Sequence, residues 1–223
     1  MKSHEHKMRL EGRRSSRNLP TGLSEGVVVA APANGDCFFA LVCMGIREKA
    51  VSTSDLESSI PVEAEAEDEN SLADPDSLTN YCKISSLRAL VANEYSEDIF
   101  QLMVSAGQIP STARCIPTFN DFKVRLKHER AFADEHCIGI ICAKLKIAFL
   151  MLDDNIGGRP TMYWNSNKSS ISPKYFMTLR LGREHYSGIK FKGRLLHDSE
   201  SLHPQIRQFW KQQLKDLRLD DWH

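Results

Sequence analysis

Cys37 lies where a predicted strand gives way to a predicted helix. The apolar run at 26–31 is short and β-branched, which predicts a strand, and the residues after Cys37 repeat apolar side chains at helical spacing. Pro32 disfavours extension of the strand, and Gly35 permits backbone angles closed to other residues. We therefore expect a sharp turn with Cys37 at the helix N-terminus, where free N–H groups and the helix dipole favour the nucleophilic thiolate. The same N–H groups can bind an oxyanion.

A histidine far along the chain offers a base for this thiol. Residues 174–181 predict a strand, 182–184 a turn and 186–191 the returning strand of a hairpin, so His185 stands where the returning strand begins. An early cysteine and a late histidine, brought together by the fold, are the order expected of a thiol hydrolase. Many free cysteines are only core residues, and Cys37 alone does not separate the two interpretations.

Both segments resemble motifs of the ovarian-tumour (OTU) cysteine proteases. Residues 34–39, Asn-Gly-Asp-Cys-Phe-Phe, resemble the family's Asp-Gly-Asn-Cys-Leu/Phe-Phe/Tyr segment, and residues 184–189, Glu-His-Tyr-Ser-Gly-Ile, are similar to its His-Tyr-Asp/Asn-Ser-Ile segment. Residues 87–92 and 132–150 resemble the family's intervening helices and central strand, so the resemblance covers about 23–192 in the family's order.

This resemblance implies a fold and an activity. The fold would be α/β (α+β) and papain-like, with a small central sheet flanked by helices and the nucleophile Cys37 at a helix N-terminus. The activity would be that of a cysteine-type deubiquitinase without a cofactor. It would hydrolyse the isopeptide or peptide bond after the C-terminal glycine of ubiquitin, polyubiquitin or a ubiquitin-like protein, through an acyl-enzyme.

The chain departs from the family pattern beside both catalytic positions. The family's Asp three residues before the cysteine is Asn34, its Asn just before the cysteine is Asp36, and its Asp or Asn two residues after the histidine is Ser187. We expect Gly35 and Asp36 to form the oxyanion turn. For the group that supports His185 we rank Asn34 first, because an amide oxygen accepts a hydrogen bond without carrying charge, then Ser187, then Asp36.

Composition and periodicity divide the chain into three parts. Residues 1–22 predict a basic solvated tail, and 23–195 the catalytic domain, interrupted at 52–80 by an acidic insertion. The insertion is either a solvated loop or a lobe that attracts the basic tail of ubiquitin. Residues 196–223 predict an amphipathic helix that serves either as a brace on the domain or as an exposed stripe for a partner.

The domain between the insertion and the hairpin shows regular apolar patterns. Helical spacing begins at Ile84, ends before Gly107 in a second helix, and recurs around 119–126 and at 134–145. Residues 146–152 then predict a buried central strand, and 162–164 a short one.

Composition also argues against several classes of function. The 29 basic and 29 acidic residues cancel, which gives no electrostatic support for a nucleic-acid partner. No apolar stretch is long enough for a membrane span, and no secretory leader precedes the six cysteines. We therefore expect reduced thiols in the cytoplasm, of a host cell if the chain is a pathogen effector. His136, Cys137 and Cys142 lack the spacing of a metal site, so no metal is expected.

Two other functions are compatible with the sequence. A non-catalytic ubiquitin-binding module would explain the departures as a decayed site, and a viral or bacterial polyprotein cysteine protease would cleave its own precursor. The presence of both Cys37 and His185 favours a working hydrolase over the decayed module.

Overall fold

The computed structural model describes residues 23, 25–32, 34–57, 78–107, 118–128, 132–154, 159–164, 173–182 and 185–216. The predicted tail at 1–22 lies outside the described residues, as does most of the predicted acidic insertion. The strands are β1 (Val27–Ala30), β2 (Ile147–Asp153), β3 (Arg159–Tyr163), β4 (Tyr175–Gly182), β5 (His185–Lys190) and β6 (Leu196–Asp198). The helices are α1 (Cys37–Glu57), a 3₁₀ turn (Leu78–Tyr81), α2 (Ile84–Glu94), α3 (Glu97–Ser105), α4 (Phe119–His128), α5 (Glu135–Leu145) and α6 (Pro204–Asp216).

One mixed sheet organises these elements, which confirms the predicted α/β class. Its order is β1-β5-β4-β2-β3, and β6 also pairs with β4. The pairing of β2 with β4 is parallel, and the others are antiparallel. The predicted hairpin is β4 and β5, in which Gly182 pairs with His185. The structure therefore places His185 at the first position of the returning strand, as the sequence predicts.

A hydrophobic core packs against each side of the sheet. Alternate residues of a strand point to opposite faces. On the first face, Phe149, Met151 and Leu179 pack with residues of α1, α2 and α5 in the larger core. On the second face, Leu150, Leu152, Phe176 and Ile189 pack with Leu202 and Ile206 in the smaller core. The beginning of α6 therefore braces the sheet, while the side chains of Phe209 and Trp210 lie outside the described residues.

A glycine lets α1 approach β5 closely. A Cβ atom built on Gly188 would lie 2.9 Å from Leu41 Cδ2 and 2.5 Å from Leu195 Cδ2. Both distances are too short for carbon atoms, so the first turns of α1 can lie against this strand only because residue 188 has no side chain. This contact brings the N-terminus of α1 to the start of β5.

Three elements lie at or beyond the predicted boundaries. Helix α1 continues to Glu57 and so extends into the range predicted for the insertion. Strand β6, which follows the predicted boundary at 195, pairs with β4 of the main sheet. Helix α6 spans Pro204–Asp216, within the wider range predicted for it. Among the described helices, none is both long and apolar enough to cross a membrane.

Candidate active site

The turn before α1 is closed by the oxygens of Asn34. The backbone N–H of Cys37 donates to Asn34 O at 3.1 Å, and the N–H of Asp36 donates to Asn34 Oδ1 at 3.1 Å. The N–H of Asn34 itself donates to Pro32 O at 2.8 Å, and the first α-helical bond runs from Ala40 N–H to Asp36 O at 2.8 Å. These bonds place Cys37 as the first residue of α1, the position that the sequence predicts.

A buried arginine ties this turn to two other helices. The guanidinium of Arg88, on α2, donates to Asp36 Oδ1 from Nε at 2.9 Å and from Nη2 at 2.6 Å. It also donates to Gly35 O at 3.2 Å and to Leu126 O of α4 at 3.1 Å, and its Cζ lies 4.5 Å from the centroid of the Phe39 ring. Arg88 is only 3% exposed, so these contacts compensate a charge that would otherwise be costly to bury.

Cys37 and the histidine strand meet although they lie far apart in the sequence. The backbone N–H of Tyr186 donates to Cys37 Sγ at 3.5 Å, which joins residues 149 positions apart. Cys37 is 0% exposed, and His185, the residue before Tyr186, is half-buried. Since His185 is bonded to the residue that contacts the thiol, the fold brings the two predicted catalytic residues to one place.

Tyr186 fixes the strand at this point. Its ring packs against Phe38, with centroids 5.5 Å apart, and its hydroxyl donates to Ala133 O at 3.2 Å. Burial, followed by the neighbouring Tyr163 and Cys37, raises the pKa of Tyr186 far above its usual range. The phenol therefore stays neutral and holds the start of β5 against both α1 and the segment before α5.

Three other cysteines lie in environments that suppress reactivity. Burial raises the pKa of Cys43 to about 12 and that of Cys142 to about 12. Burial and the carboxylate of Asp134 raise the pKa of Cys137, whose backbone N–H donates to Asp134 Oδ1 at 2.7 Å. Neutral thiols are poor nucleophiles and metal ligands. Across the described ranges, no group of three or more His, Cys, Asp or Glu residues is arranged to hold a metal ion.

The structure gives the predicted turn residues specific partners. The N–H groups of Asn34, Asp36 and Cys37 all donate within the turn, so an oxyanion bound there would share them with these acceptors. The oxyanion role of Gly35 and Asp36 stays a prediction. The amide oxygen of Asn34 accepts from the turn, and Asp36 Oδ1 accepts from Arg88. Both groups therefore shape the turn, and neither contact involves His185.

Sequence reasoning did not identify Arg88 as part of the site. The signal was a charged residue within the apolar stripe of α2, where Leu87, Arg88, Val91 and Ala92 are all buried. A charge on the core face of a helix requires a partner, and Asp36, the acidic residue next to Cys37, is that partner.

The chain is similar in structure to solved OTU domains. No protein-family model matches it, and no curated protein matches it in sequence. One similar structure is an OTU domain in complex with ubiquitin, 13% identical, with a TM-score of 0.46, covering 92% of this chain and 98% of that one. Another is an OTU deubiquitinase from Wolbachia pipientis, 12% identical, with a TM-score of 0.43, covering 86% of this chain and 98% of that one. The OTU domain of OTUD1 is 10% identical, with a TM-score of 0.44, covering 74% of this chain and 86% of that one. Because these identities and TM-scores are low, the function proposed below rests on the residues of the site.

Proposed function

We propose that this chain is a cysteine-type deubiquitinase. One observation carries the proposal: the N–H of Tyr186 lies 3.5 Å from Cys37 Sγ, so the histidine strand meets a cysteine at a helix N-terminus. That arrangement suits acyl transfer by a thiolate with an imidazole as base. The motif resemblance of both segments supports ubiquitin, polyubiquitin or a ubiquitin-like protein as the substrate. Because a thiol nucleophile requires a reduced sulfur, we propose the cytoplasm as the compartment.

The reaction follows from the roles of the two residues. His185 takes the proton from the Cys37 thiol, and the sulfur attacks the carbonyl carbon of the substrate's terminal glycine. The amine leaves with the proton from the imidazolium, and a thioester remains. Water, deprotonated by His185, then hydrolyses the thioester, releases the carboxylate and restores the thiol. We propose that N–H groups of the turn at 34–37 stabilise the oxyanion in both steps.

Burial of the nucleophile adds a requirement for the substrate. Cys37 is fully buried in the free protein, so a carbonyl reaches the sulfur only after neighbouring groups move. We expect the extended C-terminal tail of the substrate to make this opening as it binds. A ubiquitin-based reagent should therefore modify Cys37 faster than a small alkylating reagent of equal intrinsic reactivity.

The direct test is labelling with ubiquitin that carries a C-terminal electrophile. We expect one adduct, on Cys37, by intact mass and peptide mapping. Cys37→Ala should give no adduct, and His185→Ala should slow labelling by on the order of 10²-fold or more. Cys82→Ala is the matched control, since Cys82 is a free cysteine that is only half-buried. Folding of each variant is checked by thermal unfolding.

The outcomes separate this proposal from its rivals. An adduct on another cysteine would refute the assignment of Cys37. Binding of ubiquitin without an adduct, by a folded protein, would indicate the non-catalytic module. Incubation with diubiquitins of every linkage then tests hydrolysis itself, and cleavage of a precursor sequence in their place would indicate a polyprotein protease.

A further inference from the structure

An acidic residue outside the turn at 34–37 contacts the hairpin that carries His185. Asp154 directly follows β2, and its two carboxylate oxygens accept from Arg180 Nε, Oδ1 at 2.9 Å and Oδ2 at 2.8 Å. Arg180 belongs to β4 and pairs across the strands with Ser187 of β5. The carboxylate is therefore held on the sheet face that carries Ser187. Residue 187 is the motif position at which OTU proteases have an Asp or Asn.

A glycine locates this carboxylate relative to His185. Gly182 is the cross-strand partner of His185, and a Cβ atom built on Gly182 would lie 3.1 Å from Asp154 Oδ2. Paired residues of antiparallel strands project to the same face, with Cβ atoms about 4.5–5.5 Å apart. Asp154 Oδ2 therefore lies on the face of the sheet to which His185 projects. It lies over β4, the strand next to that of His185.

The alternation along the strands agrees with this placement. Leu150 and Leu152 of β2 belong to the smaller core on the second face, as does Ile189 of β5. His185 continues the series of Ile189 in steps of two residues. Asp154, which follows the end of β2, is held on the same face by its bonds to Arg180 and lies against Gly182. Both side chains thus share the second face of the sheet, at the same end of the hairpin.

We propose that Asp154 is the positioning residue for His185, the third member of the catalytic group; the inference rests on the proposed function. In this arrangement Cys37, which contacts the N–H of the next residue, Tyr186, lies on one side of His185, and the Asp154 carboxylate lies on the other. The carboxylate accepts the ring N–H that faces away from the thiol, which fixes the tautomer, and it stabilises the imidazolium formed when the thiol proton moves. A carboxylate offers about four acceptor sites, so it serves Arg180 and the imidazole together.

This role explains two features of the sequence. Ser187 can replace the family's Asp or Asn because the negative charge comes from Asp154, which follows β2. Gly182 leaves room for this carboxylate, because a Cβ atom at residue 182 would lie 3.1 Å from Asp154 Oδ2. The competing explanation is a surface ion pair without a role in catalysis: Asp154 is 41% exposed and Arg180 18% exposed, and such pairs contribute only about 0–1 kcal/mol to stability.

The test compares Asp154→Asn with Asp153→Asn. Asp153 is the adjacent acidic residue, and the alternation of β2 places it on the opposite face, so its substitution removes the same charge from the same segment. The titratable and charged groups around His185 are Cys37 of α1, Arg180 of β4 and the Asp154 carboxylate. The pKa of His185 is measured by NMR of the imidazole ring, with the resonance assigned by its loss in His185→Gln.

We expect Asp154→Asn to lower the pKa measured for His185, because a nearby negative charge favours the imidazolium. Its kcat on a ubiquitin conjugate should fall on the order of 10²-fold or more, with little change in KM or melting temperature. Asp153→Asn should leave the pKa and kcat near the parent values. Gly182→Ala, which displaces the carboxylate without removing it, should change both in the same direction as Asp154→Asn.

An unchanged pKa of His185 in Asp154→Asn would overturn the inference, whatever its effect on turnover. The same holds if Asp153→Asn gives an equal shift, since a general charge effect would then account for it. The NMR titration needs no substrate. If the parent protein hydrolyses no ubiquitin conjugate, the proposed function fails, while the titration still decides whether Asp154 acts on His185.

Discussion

Arg88→Met removes the guanidinium that ties the turn at 34–37 to α2 and α4 while it keeps an apolar side chain of similar length. The variant leaves the Asp36 carboxylate, 16% exposed, without its partner and removes the donors to Gly35 O and Leu126 O. Removing one partner of a buried ion pair costs about 3–5 kcal/mol. For a domain of this size, about 1 kcal/mol shifts the melting temperature by roughly 2–4 °C, so we expect a decrease on the order of 10 °C.

Urea unfolding of four proteins isolates the ion pair: the parent, Arg88→Met, Asp36→Asn and the double variant. Because the double variant has no unpaired carboxylate, it should recover part of the stability lost in Arg88→Met. Arg47→Met is the matched control, since Arg47 is exposed and donates to one backbone oxygen, Cys82 O at 2.8 Å. It should cost about 1 kcal/mol or less. A loss below about 1 kcal/mol in Arg88→Met, or strict additivity in the double variant, would refute the reasoning.

Two further predictions concern the scaffold. Gly188→Ala should destabilise the protein by about 1–3 kcal/mol, because the new Cβ would overlap the side chains packed against β5. Its control is Gly139→Ala, in a helix with open space around it, which should raise stability by up to about 1 kcal/mol. A lower melting temperature for Gly139→Ala than for Gly188→Ala would contradict the packing described. Asp198→Asn should lower stability at pH 7 by about 1 kcal/mol, since Ser201 first and Lys49 after it hold the pKa of Asp198 below its usual range. A lowered pKa stabilises the fold above the unfolded pKa of about 4 and loses that effect as the pH falls further, so urea midpoints of the variant and the parent should converge towards pH 2; a constant difference across pH would count against this account.

Local chemistry made much of the fold predictable. The cap and apolar period of α5 lie within its own sequence, as Asp134 accepting from Cys137 N–H shows, and the uninterrupted apolar run of β2 predicts a buried central strand. The hairpin that carries His185 follows from two β-rich runs around a short turn. Strand β6 is only three residues long, and it pairs with the beginning of β4 and not with β5, the strand before it in the sequence. No local pattern therefore indicates it.

The candidate site was predictable only as far as its motifs reach. The local sequence indicates Cys37 and His185, but the residues that surround them in space depend on how the strands pair. Whether Asn34, Ser187 or a residue elsewhere faces the imidazole depends on the pairing of Gly182 with His185. The partner of Asp36 lies 52 residues away on α2, a distance that no spacing rule connects to the nucleophile.

The position of β5 in the sheet has a consequence during synthesis of the chain. β1, which leads into the nucleophile, lies at the sheet edge with β5 as its neighbour, and the contact from Tyr186 to Cys37 spans 149 residues. At about 5–20 residues per second, the ribosome adds this stretch in roughly 7–30 s. Throughout that interval the cysteine has been made and the histidine proposed as its base has not. A chain that stops short of β5 therefore contains one of the two residues on which the proposed reaction depends, and we expect it to hydrolyse no conjugate.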